Sequence, residues 1–307
     1  MSAEFIELLL VTILTAATPL LIAALGELVV ERAGVLNLGV EGMMIMGAAI
    51  GFAAAFLTGS TLVGALCGIL AGMAMSGLFA LLVVGLAVNQ VAAGLALTIL
   101  GLGASGLAGA GFVGLKREGA PQLHLPVLSD LPLVGKLLFS EDYFVYAGCA
   151  LTLAIAWFLG RTRAGLSLRA IGDNHGSAHA LGLPVRKTRV LAILFGGACA
   201  GLAGAYLSLA YTPFWSQGMT AGRGWIALAL VVFASWRPGR VFAGAILFGG
   251  ATILQLHAQA LGIRLPSQLL SALPYLATIL ALIVLSIGKG RGANAPAALG
   301  RAFIPDR

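Results

Sequence analysis

The chain carries no charged side chain between Glu41 and Lys116. An uncharged stretch of this length is sufficient for about three membrane-spanning helices of roughly 20 residues each. The whole sequence follows the same trend, since 60% of its residues are hydrophobic and 9% are charged, whereas about a quarter are charged in an average soluble domain. The apolar runs do not alternate with polar residues as the strands of a membrane β-barrel do. We therefore predict an all-α, polytopic transmembrane helical bundle.

Charges and turn residues divide the apolar sequence into nine predicted spans, near residues 5–28, 35–57, 61–84, 90–113, 143–160, 189–210, 222–236, 240–259 and 268–287. On this topology thirteen Lys and Arg residues fall on one side of the membrane and five on the other. The positive-inside rule then places the N-terminus outside and the C-terminus in the cytosol. Residues 1–288 form the predicted transmembrane domain, and the basic tail 289–307 is predicted to be disordered in the cytosol.

Residues 161–189, called the polar island below, hold six of the 18 basic residues. Asp173 or Asn174 can cap the start of a helix here. Gly182 can supply the left-handed residue at its end, and Pro184 prevents continuation. A helix of about two turns is marginal in water, so it needs a surface on which to pack. We interpret it as a docking helix for a cytosolic partner; the alternative is a loop that rests on its own spans.

The sequence shows no arrangement of residues for catalysis or metal binding. His175 and His179 have the spacing of paired ligands on a helix, but no neighbouring Cys, Glu or third His completes a metal site. A phosphate-binding loop is absent, and no nucleophile is accompanied by a supporting base. The basic residues flank spans and form no face with aromatic side chains, so we expect no nucleic-acid partner. We predict a non-enzymatic chain that binds no cofactor or metal of its own.

A second group of polar residues lies inside the predicted membrane region. Asn37 and Glu41 are one helical turn apart, and the flanking glycines at 34, 39 and 42 can interrupt the helix. Polar groups and irregular backbone at membrane depth are tolerated only against protein or a water-lined path. Glu41 therefore has two interpretations: it anchors neighbouring helices, or it contacts a permeating solute.

Two further pairs of residues have the same ambiguity. Asn89 and Gln90 open the fourth predicted span, where they either line the path or cap a short cytosolic turn. Phe214 and Trp215 belong either to the band of aromatic residues at the outer membrane interface or to the mouth of the path, where they would stack on a flat solute. The tentative path residues are Asn37, Glu41, Asn89, Gln90, Phe214 and Trp215.

Three stretches carry a family resemblance: ERAGVLNLGVEGMM at residues 31–44, VNQVAAG at residues 88–94, and the polar island followed by FGGACAGLAGA at residues 195–205. Together they resemble the integral membrane permeases of ABC importers, in particular the nucleoside-type permeases related to branched-chain amino-acid and ribose permeases. In that family a cytosolic loop of this kind couples the permease to its ATP-binding subunit. The implied coupling residues are Gly172, Asp173, Asn174, His175, Ala178, Leu181, Gly182 and Leu183.

The resemblance implies a permease subunit of an ATP-driven importer in a bacterial plasma membrane, forming the path for a small polar solute, most typically a nucleoside. It also implies three protein partners: an ATP-binding cassette subunit that holds ATP and magnesium, a second paralogous permease, and an extracytoplasmic solute-binding lipoprotein. Because some relatives carry simple sugars or riboflavin, the resemblance does not determine the identity of the solute. An ion-gradient-driven transporter or channel with an ion site at Glu41 is the competing hypothesis, and a membrane scaffold is a third.

Overall fold

The computed structural model describes residues 3–123, 140–260 and 295–304, together with three single positions at 272, 276 and 283. The described part of the chain is a bundle of α-helices. In chain order these are α1 Ala3–Arg32, α2 Val40–Thr58, α3 Thr61–Ala80, α4 Gln90–Gly109, α5 Tyr143–Arg161, α6 Arg163–Asp173, α7 His175–Ala180, α8 Val185–Tyr206, α9 Arg223–Phe233 and α10 Pro238–Ala260. Single π-helical turns, Leu81–Gly85 and Leu207–Tyr211, extend α3 and α8, and a 3-10 turn, Ala110–Phe112, extends α4.

Helices α2, α3 and α8 pack so closely that only glycine fits at their contacts. A Cβ atom at Gly47 of α2 would lie 2.6 Å from the Cα of Gly201 in α8, and one at Gly72 of α3 would lie 2.7 Å from the same atom. Both distances are far shorter than a carbon–carbon contact at optimal separation. Small residues allow membrane helices to approach in this way, where apolar burial gives little preference for protein over lipid. The three helices are packed tightly against one another.

Seven of the described helices are long and apolar enough to cross a membrane. They correspond to predicted spans one to six and eight, and the all-α polytopic fold is confirmed. The predicted seventh span, 222–236, differs: α9 has 11 residues, which is about 16 Å of helix and roughly half of a hydrocarbon core. The predicted span 268–287 lies outside the described ranges. The count of nine spans and the orientation of the termini stay predictions.

Two irregular segments enter the bundle from opposite ends and meet inside it. The 33–39 turn follows α1, and the 212–222 segment leads into α9. A Cβ at Gly42 would lie 2.5 Å from the carbonyl oxygen of Leu97, near the middle of α4. The start of α2 therefore lies well inside the membrane region. Residues 33–39 run back along α1 before α2 begins, which is why α2 starts five residues later than the predicted span.

The tail differs from the expectation of a disordered segment in the part that the structure describes. Residues 295–304 contain no helix, but they pack against the bundle. The N–H of Ala298 donates to the carbonyl of Gly172 at 2.9 Å, and the N–H of Gly300 donates to the carbonyl of Gly34 at 3.3 Å. Phe303 is buried. Sequence composition, rich in Gly, Ala and Pro, did not reveal these contacts.

Candidate functional site

The polar island forms two helices, and sequence analysis predicted only the second. In α6 the hydroxyl oxygen of Thr162 accepts a hydrogen bond from the N–H of Gly165 at 2.9 Å and so caps the helix start. Leu168 and Ile171 are buried, while most of the remaining side chains face outward. The sequence did contain a signal for this amphipathic helix, namely a capping threonine followed by apolar residues at intervals of three.

The caps of the second helix, α7, agree with the sequence. The side-chain oxygen of Asn174 accepts a hydrogen bond from the N–H of Ser177 at 3.0 Å. Gly182 has a φ of 80°, and Leu183 N–H donates to the Ala178 carbonyl at 3.0 Å, which together close the helix end. Asp173 is the last residue of α6 and not the cap of α7. The helix itself has six residues, shorter than the two turns predicted.

The eight proposed coupling residues divide into two groups by burial. Gly172 and Ala178 are buried, and His175 and Leu183 are half-buried. A Cβ at Gly172 would overlap the carbonyl oxygen of Arg32, so this glycine allows α6 to pack on the end of α1. The four residues that face outward are Asp173, Asn174, Leu181 and Gly182. Leu181 is 82% exposed and forms the tip of the island.

The two histidines face the chain's own tail. The ring of Phe303 makes edge contacts with the rings of His175 and His179, at centroid distances of 5.4 and 5.3 Å. Arg189 Nη2 lies 3.2 Å from His175 Nδ1 and donates to it when that nitrogen carries no proton. Burial, and then the charges of Arg189 and Arg301, lower the pKa of His175. Among the described residues no group of three candidate ligands surrounds this pair.

Asn37 and Gln90 hold the 33–39 turn. Asn37 is fully buried; its side-chain oxygen accepts from the N–H of Gly39 at 2.9 Å, and its own N–H donates to Glu27 Oε1 at 3.2 Å. Gln90 Oε1 accepts from the N–H of Leu36 at 2.8 Å. Both side chains thus provide hydrogen bonds for backbone groups that lack a helical partner. The structure brings these two predicted path residues to the same turn.

Glu41 joins the two irregular segments. Its Oε1 accepts hydrogen bonds from the Thr220 hydroxyl at 2.5 Å and from the N–H of Gly222 at 2.9 Å. Its Oε2 accepts from the N–H of Gly224 at 2.7 Å. The side chain is 3% exposed. Of the two interpretations of Glu41, this arrangement favours the anchor between helices, because both oxygens already have partners in the protein.

The remaining path residues have separate positions. Asn89 is exposed, and its side-chain oxygen caps α4 by accepting from the N–H groups of Val91 and Ala92, in agreement with the cap interpretation. Phe214 is 39% exposed, whereas Trp215 is 1% exposed. Trp215 packs in a cluster with Ile45, Ala48, Ala49 and Phe52. Trp215 is therefore a core residue in this structure, not a member of an exposed aromatic band, and its place on the solute path stays a prediction.

Sequence analysis also missed the partners of these residues. Thr220, Gly222 and Gly224 lie about 180 residues from Glu41, and Arg189 and Phe303 were considered only as basic or tail residues. One local signal was available: the stretch GMTAGRG at residues 218–224 has three glycines before an apolar run. Such density indicates a turn with unusual backbone conformations, and Gly218 and Gly222 do have positive φ angles.

Taken together, these features define a multi-pass helical membrane protein in which two irregular segments meet inside the bundle and a short capped helix projects from a polar loop. Comparison with known families agrees with this class. Residues 9–287 match the family of the branched-chain amino acid transport system permease component. The chain belongs to that family.

Individual relatives are similar over most of their length. The chain is 44% identical to the putative glucose ABC transporter permease protein of Haloferax volcanii, over 86% of this chain and 87% of the relative. It is 31% identical to a guanosine ABC transporter permease protein of Bacillus subtilis and 31% identical to a nucleoside ABC transporter permease protein of Lactococcus lactis, over 98% of both chains in each case. The family places the chain in the membrane component of an ABC transporter, with an ATP-binding subunit as its partner.

Proposed function

We propose that this chain is a permease subunit of an ATP-driven importer and forms the translocation path for nucleosides. The observation that supports this most is the similarity, over 98% of both chains, to permeases named for guanosine and for nucleosides. The chain acts in transport and not in catalysis. ATP and its magnesium ion bind the partner subunit, and this chain itself carries no cofactor.

Simple sugars are the second candidate solute, because the relative with 44% identity is named as a putative glucose permease. Solute uptake measured in a strain that lacks the chain distinguishes nucleosides from simple sugars as the solute. We expect adenosine and uridine uptake to fall on deletion and to return with the wild-type gene. If glucose or ribose competes with labelled adenosine as well as uridine does, the nucleoside assignment is wrong.

The proposed assembly has four kinds of subunit. The chain pairs with a second, paralogous permease, the pair is driven by ATP-binding subunits, and an extracytoplasmic lipoprotein delivers the solute. The location is a bacterial plasma membrane, with the N-terminus outside and the tail in the cytosol. Thirteen Lys and Arg residues on the cytosolic side support this orientation.

In this assembly α7 is the coupling helix and docks on the ATP-binding subunit. Asn174 and Gly182 fix its two ends, so its outward face has a defined shape before a partner binds. Leu181 places an apolar side chain, 82% exposed, at the tip, where a groove of the partner would bury it. Full burial of a leucine side chain contributes about 1.5–3 kcal/mol. The coupling residues are the eight named from the family resemblance.

Leu181→Asp tests the docking surface, with Ile304→Asp as the matched control, because Ile304 is an apolar residue outside α7 that is 72% exposed. An unpaired charge inside an interface costs several kcal/mol, so Leu181→Asp should weaken binding of the ATP-binding subunit at least hundredfold and abolish uptake. The control should bind as the wild type does. Equal binding by both variants contradicts the docking role of α7.

A further inference from the structure

Residues 295–304, called the C-terminal strap below, contact both α7 and the 33–39 turn, two regions that Arg189 also joins: its Nε donates to the carbonyl of Ala33 at 3.2 Å, and its Nη2 lies 3.2 Å from His175 Nδ1. At one end, Phe303 packs beside α7. At the other, the N–H of Gly300 donates to the carbonyl of Gly34 at 3.3 Å. Between them the carbonyl of Arg301 accepts two hydrogen bonds, from Arg189 Nη1 at 3.0 Å and from Gln90 Nε2 at 3.4 Å. The strap thus contacts α7, α8, α4 and the 33–39 turn.

The apolar contacts of α7 depend on the strap. Ala178 is the one side chain of this helix that is buried, and it belongs to a small cluster with Ile171, Val185 and Phe303. Phe303 is the largest member, and it also contacts both histidine rings of α7. A helix of six residues is not stable without packing. Phe303 therefore supplies a large part of the surface that keeps α7 helical and in place.

The other end of the strap holds the turn that precedes α2. Gln90 donates to Arg301 through its Nε2 and accepts from the N–H of Leu36 through its Oε1. Gln90 therefore bridges the strap and the 33–39 turn, and Gly34 in that turn is bonded to the strap directly. One backbone carbonyl of the strap, that of Arg301, accepts hydrogen bonds from the side chains of two other helices. A displacement of the strap would remove hydrogen bonds from the turn at which α2 begins.

We propose that the C-terminal strap transmits the position of α7 to the 33–39 turn, with Phe303 as the positioning residue. The proposal rests on the proposed function, in which α7 docks on the ATP-binding subunit. When that subunit moves α7, the packed ring of Phe303 moves the strap, and the hydrogen bonds of Gly300 and Arg301 move the turn. A rigid contact at both ends is necessary, because a loose strap would absorb the displacement.

Hydrogen exchange on the purified full chain in nanodiscs tests the contacts without any partner. The variants are Phe303→Ala and the matched control Ile304→Ala, whose side chain is 72% exposed. We expect amide exchange in residues 174–183 and 33–39 to be at least tenfold faster in Phe303→Ala and unchanged in the control. Phe303→Leu, which keeps an apolar side chain, should recover most of the protection. Equal exchange in Phe303→Ala and Ile304→Ala overturns the proposal.

Transport by the reconstituted complex tests transmission itself. Phe303→Ala should still bind the ATP-binding subunit with an affinity within threefold of the wild type, while the solute carried per ATP hydrolysed falls at least fivefold. A purely structural role would lower assembly and uptake together and leave that ratio unchanged, which would also overturn the proposal. The docking role of α7 fails separately, if Leu181→Asp binds the ATP-binding subunit normally.

Discussion

The carboxylate of Glu41 is predicted to stabilise the bundle and not to bind the solute, and Glu41→Gln tests this. Its two oxygens accept three hydrogen bonds, from Thr220 Oγ1 and from the N–H groups of Gly222 and Gly224. Glutamine keeps one acceptor oxygen and turns an NH₂ group towards one of these donors. Hydrogen bonds to charged groups contribute about 1.5–3 kcal/mol each, and an unsatisfied buried donor costs about 1–3 kcal/mol. We therefore expect Glu41→Gln to lower the free energy of unfolding by about 2–4 kcal/mol.

The assay is thermal unfolding in detergent, with Glu118→Gln as the control, since Glu118 is an exposed carboxylate. A loss of 2–4 kcal/mol corresponds to a fall in the midpoint of about 5 °C or more. Solute affinity, measured on the fraction that remains folded, should stay within a few-fold of the wild type. The reasoning is refuted if Glu41→Gln unfolds at the same temperature as Glu118→Gln, or if it loses solute binding while its stability is unchanged.

A double-mutant cycle with Thr220→Val locates the effect at this junction. Valine has nearly the shape of threonine but has no hydroxyl donor, so Thr220→Val removes one of the three hydrogen bonds to the carboxylate, worth about 1.5–3 kcal/mol. Residues in direct contact usually couple by about 0.5–3 kcal/mol. The double variant should therefore be more stable than the sum of the single losses predicts. Strict additivity would mean that the hydroxyl and the carboxylate do not interact.

Three further measurements test other parts of the structure. Gly182→Val places a β-branched residue at a φ of 80°, where no atom lies within 4 Å of the new Cβ, so the substitution strains the backbone and causes no clash. This backbone strain of about 1–3 kcal/mol should uncouple ATP hydrolysis from uptake without loss of assembly. Trp215→Phe removes a buried N–H without a partner among the described residues, so stability should change by less than about 1 kcal/mol and solute affinity should not change. Burial and the charges of Arg189 and Arg301 lower the pKa of His175. The protection of the strap amides from hydrogen exchange, corrected for intrinsic exchange rates, should therefore be complete above about pH 6.5 and fall as the pH falls below that value. His175→Gln should remove this pH dependence.

Local chemistry made some of these features predictable from sequence. The capping asparagine at 174 and the left-handed glycine at 182 depend on the residues immediately around them; the sequence predicted the glycine, and it predicted either Asp173 or Asn174 as the cap. The spans follow from apolar runs, which identified the seven long helices. The half-length of α9 was not predictable in this way, because residues 222–236 form an apolar run that was interpreted as a span, whereas the helix itself has 11 residues.

Long-range contacts account for what the sequence could not predict. Glu41 and Thr220 are separated by 179 residues, and no local pattern pairs them. Trp215 follows an apolar run in the same way as an interfacial aromatic residue does, and only the packing of Ile45 and Phe52 around it identifies it as core. Phe303 stands in a tail of low complexity, where its burial depends on α7 and α8 having formed.

The surroundings of Glu41 also bear on the source of energy for transport. Glu41 lies in the first turn of α2, and Gly222 and Gly224 lie at the start of α9, so the positive ends of two helix dipoles meet at one carboxylate. Each end carries roughly half an elementary charge, so together they balance the negative charge. A cation that bound here would be repelled by both helix ends and would compete with three hydrogen-bond donors for the same oxygens. The structure therefore gives no support to an ion-coupled site at Glu41, and it leaves the hypothesis of a gradient-driven transporter without the residue on which that hypothesis depended.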